Sequence, residues 1–123
     1  MKRLPDTELE VMKALWATGA NTPRTLLEEK LAHFGWAANT INTYLARLAD
    51  KGFVEVCREG KSNRYTALVG QEEYQAFDSR AVLDRLYGSP RNFVAALARE
   101  GLHRGELEEL QALIDQLNGG QKR

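Results

Sequence analysis

Residues 39–47 read Asn-Thr-Ile-Asn-Thr-Tyr-Leu-Ala-Arg, a run of short amides and hydroxyls closed by one long cation. Groups of this kind suit the edges of stacked bases. Asparagine can pair with an adenine edge, threonine can meet a thymine methyl or a phosphate, and arginine can chelate guanine or a phosphate. An ordinary solvated helix face more often carries Glu and Lys, whereas here no acid follows until Asp50. Asn39, Thr40, Asn42, Thr43 and Arg47 are therefore candidates for contacting nucleic acid. Arg58, Lys61 and Arg64, spread around Glu59-Gly60-Lys61-Ser62, form a second basic group suited to phosphate contacts.

Other chemistries find less support. His33 and His103 are 70 positions apart, and neither sits in an H-E-x-x-H or G-x-S-x-G context. The carboxylates are spread along helix surfaces and no glycine-rich phosphate loop occurs, so an enzyme is not expected. The single cysteine, Cys57, cannot close an intramolecular disulfide or build a thiolate zinc site alone. It shares a strand face with Glu55 and reads as a structural residue. No metal and no cofactor are expected.

Side chains can read bases only if one rigid element holds them on one face. Across residues 37–52, Ile41, Leu45 and Leu48 form an apolar stripe with Tyr44 on its flank. At ~100° per residue the opposite face of that helix holds Asn39, Thr43 and Ala46, flanked by Thr40, Asn42 and Arg47. Gly52 is its stop. The period then changes to two, predicting strands over 53–58 and 63–68. Upstream, Asp6 is expected to N-cap a helix carrying Leu9, Met12 and Trp16 and ending at Gly19. A second helix is expected to open on a Thr22 cap with Pro23 at its first position, and to end near Phe34-Gly35. Three helices followed by a hairpin is the plan of a winged helix-turn-helix, placed at residues 1–70.

Residues 71–123 are predicted to be helical. Tyr74, Phe77, Ala81, Val82 and Leu86 suit one helix ending at 87–90, and Phe93 and Leu97 a short one ending near Gly101. Leu107, Leu110, Ile114 and Leu117 follow at spacings of 3, 4 and 3, the rhythm of a seam between helices, with a frayed tail expected from Gly119. The fold class is thus mainly α with a small β-hairpin: a winged helix-turn-helix DNA-binding domain followed by a helical region.

The charge balance sharpens this. The 123 residues hold 17 Lys and Arg against 17 Asp and Glu, which taken whole argues against nucleic acid. Residues 1–68 hold 10 and 8, however, and residues 69–123 hold 7 and 9. Since residues 1–38 balance at 5 and 5, the basic excess lies in the third helix and the wing. No run approaches the ~18 apolar residues of a membrane span, no signal-peptide core follows Met1, and the lone cysteine suits a reducing cytoplasm.

The sequence resembles the penicillinase-repressor family, also called BlaI/MecI, to which copper-responsive CopY-type repressors also belong. The matching residues are Asp6-x-Glu8-x-Glu10-Val11-Met12-x-x-Leu15-Trp16 and Trp36-x-x-x-Thr40-Ile41-x-Thr43-x-Leu45-x-Arg47-Leu48-x-x-Lys51-Gly52. They continue through Tyr65-x-x-Leu68-Val69 and Glu72-Glu73-Tyr74 to Glu108-Glu109-Leu110. The resemblance implies a homodimeric winged-helix repressor that binds a palindromic double-stranded DNA operator, with residues 71–123 as a helical dimerisation region in which Leu107, Leu110, Ile114 and Leu117 form the seam. The lack of a long apolar run separately predicts no membrane partner. The resemblance places Asn39, Thr40, Asn42, Thr43 and Arg47 on the recognition helix, and Arg58, Lys61 and Arg64 in the wing.

Three departures qualify it. The family often has Ser-Pro-Lys where this chain has Ala37-Ala38-Asn39, which removes a helix cap and a charge. The paired C-x-C motifs of copper-responsive members are absent. Members released by a sensor protease are cut at an Asn-Phe bond; Asn92-Phe93 occurs here, but alignment from Glu100 and Leu102 places Ala95-Ala96 at that site. The other reading of the same pattern is a winged-helix module that binds protein and not DNA. An exposed apolar patch on the third helix would favour it.

Overall fold

The computed structural model describes residues 1–121, which divide into two compact units, Met1–Ala81 and the helices from Val82 onward. In the first unit, α1 (Asp6–Thr18), α2 (Arg24–Leu31) and α3 (Ala38–Asp50) enclose one apolar core. Val11, Met12 and Leu15 come from α1, Leu27 and Leu31 from α2, and Ile41, Leu45 and Leu48 from α3. Each such side chain contributes roughly 1.5–3 kcal/mol by leaving water, enough to hold three short helices that would be marginal alone.

The sheet has three strands, not the hairpin alone. β1 (Thr22–Pro23), β2 (Val54–Glu59) and β3 (Ser62–Ala67) lie in the order β1-β3-β2, all antiparallel. Thr22 opposes Tyr65 and Pro23 opposes Arg64. Thr22 is thus a strand residue instead of the expected helix cap: its hydroxyl donates to the Gly19 carbonyl at 2.9 Å and lies 2.6 Å from that of Thr18. Pro23 occupies the N-cap, so α2 begins one residue later than expected. Proline on an edge strand costs no ladder bond. Asp6 is likewise the first residue of α1 and not its cap. Pro5 holds that place, its carbonyl accepting from the Leu9 amide at 2.9 Å.

The two long strands run 54–59 and 62–67, each a residue away from the expected bounds: the ladder closes on a two-residue turn, and buried Phe53 lies just before its first pair, Val54 with Ala67. The Phe53 amide donates to the Leu48 carbonyl at 2.9 Å, and its carbonyl accepts from Leu68 at 2.7 Å. Glu59 pairs with Ser62, leaving Gly60 and Lys61 as a two-residue turn. Gly60 has φ +60°, as the first central position of a type II′ turn requires.

α4 (Gln71–Val82) opens against the first unit. Tyr74 is buried there and its hydroxyl accepts from the Leu4 amide at 2.7 Å, which is why that unit extends to Ala81, past the 70/71 boundary read from the sequence. A π-helical turn (Leu83–Tyr87) ends at Gly88, then come α5 (Pro90–Glu100) and α6 (Arg104–Gln121). α6 keeps helical backbone through Gly119, Gly120 and Gln121, where a frayed tail was expected; Lys122 and Arg123 lie outside the described residues. No described residue of the second unit is buried.

Candidate nucleic-acid interface

Burial sorts α3 into two faces. Ile41, Leu45 and Leu48 are buried, while Asn39, Asn42, Thr43, Ala46 and Arg47 are exposed and Thr40 is half-buried. The exposed face carries no large apolar side chain, so it is not the apolar patch of a protein-binding helix. An aromatic group steadies the start of α3: Phe34 stacks on Trp36 at 4.5 Å, and Trp36 meets Tyr44 edge-on at 5.0 Å. Further along, Lys51 Nζ donates to Oε1 of the buried Glu8 at 2.5 Å, fastening the end of α3 to α1. Helix position is thereby set at both ends.

Within the exposed face the polar groups are not equally free. Thr43 donates its hydroxyl to the Asn39 carbonyl at 3.0 Å, leaving its methyl and its oxygen lone pairs outward. Asn42 Oδ1 accepts from Arg24 Nη1. The Arg47 side chain makes no hydrogen bond or ion pair with the described residues. The first turn of α3 has no side-chain cap at Ala37, whose carbonyl accepts from the Thr40 and Ile41 amides at 3.0 and 3.1 Å.

The wing cations divide in the same way. Lys61, at the tip of the turn, has no partner among the described residues. Arg58 Nε donates to the Gly60 carbonyl at 3.2 Å. Arg64 is engaged inside the protein: it pairs with Glu59 across the hairpin and donates from Nη1 to the Asn21 carbonyl at 3.2 Å. Asn21 itself, with φ +52°, donates its amide to Thr66 Oγ1 at 2.9 Å, so the turn before β1 is pinned to β3. Arg64 therefore braces the wing. A cleft of about 200 Å³ lined by Asn42, Leu45, Ala46, Val56, Asn63 and Tyr65 separates α3 from the hairpin.

Cys57 is exposed on β2, and its thiol donates to Glu55 Oε1 at 3.6 Å. That hydrogen bond and the carboxylate's charge raise the thiol's pKa above its ordinary value. Among the described residues no group of His, Cys, Asp and Glu is arranged to hold a metal ion, and no helix is long and apolar enough to cross a membrane. Sequence reading passed over Arg24. Four residues before Glu28, it looks like half of a surface ion pair within α2, and only the fold carries its guanidinium to α3.

Known proteins share this arrangement. A family model described as Penicillinase repressor matches residues 4–116. The chain is 30% identical over 121 residues to the penicillinase repressor of Bacillus licheniformis, covering 94% of each protein. It is 25% identical over 114 residues to the methicillin resistance regulatory protein MecI of Staphylococcus aureus, covering 91% of this chain and 93% of that one. Among solved structures, the DNA binding domain of the repressor BlaI superposes with a TM-score of 0.51 at 32% identity, over 60% of this chain and 94% of that one. A winged helix with a polar, acid-free α3 face, matched in sequence from residue 4 to residue 116, places the chain in the penicillinase repressor family of transcriptional repressors.

Proposed function

We propose that the chain acts in the cytoplasm as a homodimer that occupies a palindromic DNA operator and so blocks transcription. α3 enters the major groove with Asn39, Thr40, Asn42, Thr43 and Arg47 toward the bases and flanking phosphates, and Arg58 and Lys61 approach adjacent backbone. The observation that carries the DNA reading is the exposed α3 face, where amides, hydroxyls and an unpaired arginine stand on a helix fixed at both ends. Dimerisation is supported by the second unit's lack of buried residues. Leu107, Ile114 and Leu117 are exposed on α6 with Leu110 half-buried between them, and an open groove of about 450 Å³ runs along Pro90, Arg91, Val94, Ala95 and Ile114. Two heads joined this way meet half-sites about one helical turn, or ~10 bp, apart.

A sensor protease is a more demanding partner. Asn92 donates its amide to Ser89 Oγ at 3.1 Å and its Nδ2 to the Tyr87 carbonyl at 2.9 Å, and Phe93 packs edge-on against Tyr87 at 5.0 Å. Both Asn92-Phe93 and Ala95-Ala96 lie inside α5, so cleavage at either requires that helix to unwind first.

The test is selection of operators by the full chain from a randomised duplex library, followed by titration in salt. A palindromic consensus is expected, and a dimer neutralising about eight phosphates gives a slope of log K against log salt near roughly −7. Arg47→Ala is expected to weaken consensus binding by about 1–3 kcal/mol. Unchanged affinity in that variant, or no consensus at all, overturns the assignment.

A further inference from the structure

Arg24 stands outside the residues assigned to DNA, yet its guanidinium ends on α3. Nη2 donates to the Ala38 carbonyl at 3.0 Å, Nη1 donates to Asn42 Oδ1, and Nε is paired with Glu28 Oε1 at 3.1 Å. Nη1 and Nη2 of a planar, rigid fork thus each have an acceptor on α3, Nε lies beside the Glu28 carboxylate without a hydrogen bond to it, and the side chain is only 19% exposed. Asn42, at the far end of this contact, is exposed on the base-reading face.

The contact fixes which way the Asn42 carboxamide faces. Turning the amide over would set its Nδ2 donors against guanidinium N–H groups, which are donors only and carry positive charge. Oδ1 therefore stays toward Arg24 and Nδ2 is left for an incoming base. An unrestrained asparagine reads adenine with both ends, accepting from N6 and donating to N7. With its oxygen held by a cation, Asn42 retains the donating end; guanine offers it two acceptors, N7 and O6, and thymine offers O4, whereas adenine offers N7 alone and loses the acceptor for its N6 donor. Glu28 keeps Arg24 in place, since withdrawing the guanidinium would leave that carboxylate and the Ala38 carbonyl without it.

We propose that Arg24 is a positioning residue that sets base preference, confining Asn42 to donor contacts and so favouring guanine or thymine over the adenine that an unrestrained asparagine would take. This rests on the operator reading above.

The experiment is the same randomised duplex selection, run on the full-length chain and on Arg24→Met, Asn42→Ala and the double variant, with thermal melting of each. Wild type is expected to favour guanine or thymine at one position of each half-site. Asn42→Ala flattens that position and identifies it. Arg24→Met moves it toward adenine by on the order of tenfold relative to wild type. In the Asn42→Ala background the Arg24 change alters nothing further at that position, as coupling through one side chain requires. An Arg24→Lys variant, with a charge but no fork, is expected to fall between. Uniform weakening on all sequences, with a salt slope smaller by about one, would mean a phosphate contact and overturns the proposal. Uniform weakening that follows a lower melting temperature, with base preference unchanged, overturns it equally. Absence of any wild-type consensus instead overturns the operator reading, and this inference with it.

Discussion

Cys57 shows how one neighbour decides what a side chain can do. It is exposed, as a reactive thiol must be, but Glu55 accepts its S–H and places a carboxylate beside the sulfur. Both effects favour the thiol over the thiolate, which raises the pKa. The thiolate is the nucleophile, so at any pH below that raised pKa the reactive fraction is smaller than for an isolated cysteine. Alkylation by iodoacetamide is expected to be slow at neutral pH and to rise late as pH increases. Replacing Glu55 by Gln removes the charge, and the rate profile shifts to lower pH. Superimposable profiles for the two proteins would show that Glu55 does not govern the thiol. By the same logic, Arg64 is a poor choice for probing DNA contact and Lys61 a good one: the first is engaged with Glu59 and Asn21, the second is free of the described residues.

At the scale of elements, the wing depends on a turn only two residues long. Gly60 has φ +60°, and a Cβ there would meet nothing within 4 Å, so any penalty for Gly60→Ala is purely one of backbone conformation. That penalty is about 1–2 kcal/mol. Gly70, equally uncrowded but without a positive φ, supplies the control, and Gly70→Ala is expected to change stability little. Urea unfolding of both variants measures the difference; equal midpoints would rule out the strained turn. The hairpin itself was legible in the sequence, because alternation and a Gly-Lys turn are local signals. So was α3, whose Ile41, Leu45 and Leu48 stripe fixes which residues face out. β1 was not legible, since two residues carry no period and Thr22-Pro23 also fits a helix start. The clasp from Arg24 to Asn42 was hidden for a related reason: it joins residues that only the packing of α2 and α3 on α1 brings together. Local patterns reveal elements, while contacts between elements depend on the angle at which they pack.

For the whole molecule, a formal charge of zero hides a division of labour. The segment from residue 39 to 68 holds 5 Lys and Arg against 3 Asp and Glu, a small excess for a DNA-binding head. One such head would hold DNA weakly, because phosphate neutralisation dominates affinity. Two heads on one body bind far better, since the second contact becomes intramolecular and overall affinity can rise by roughly 10²–10⁴. In the proposed dimer the contact is expected from the second unit, where Ile114 and Leu117 are 49% and 55% exposed in the single chain. Their exposure also makes them clean to mutate, as neither fills an internal core. Replacing both by Glu puts like charges at a shared seam, and the expected product is a folded monomer by sedimentation, with helical content retained. Its affinity for a full palindrome should then fall to that for a single half-site, and the salt slope should be about halved, because half the phosphate contacts are lost. A variant that sediments as a dimer places the interface elsewhere. One that is monomeric yet binds the palindrome as tightly as wild type would mean that each head is sufficient alone, and that the slight basic excess between residues 39 and 68 is a stronger anchor than its size suggests.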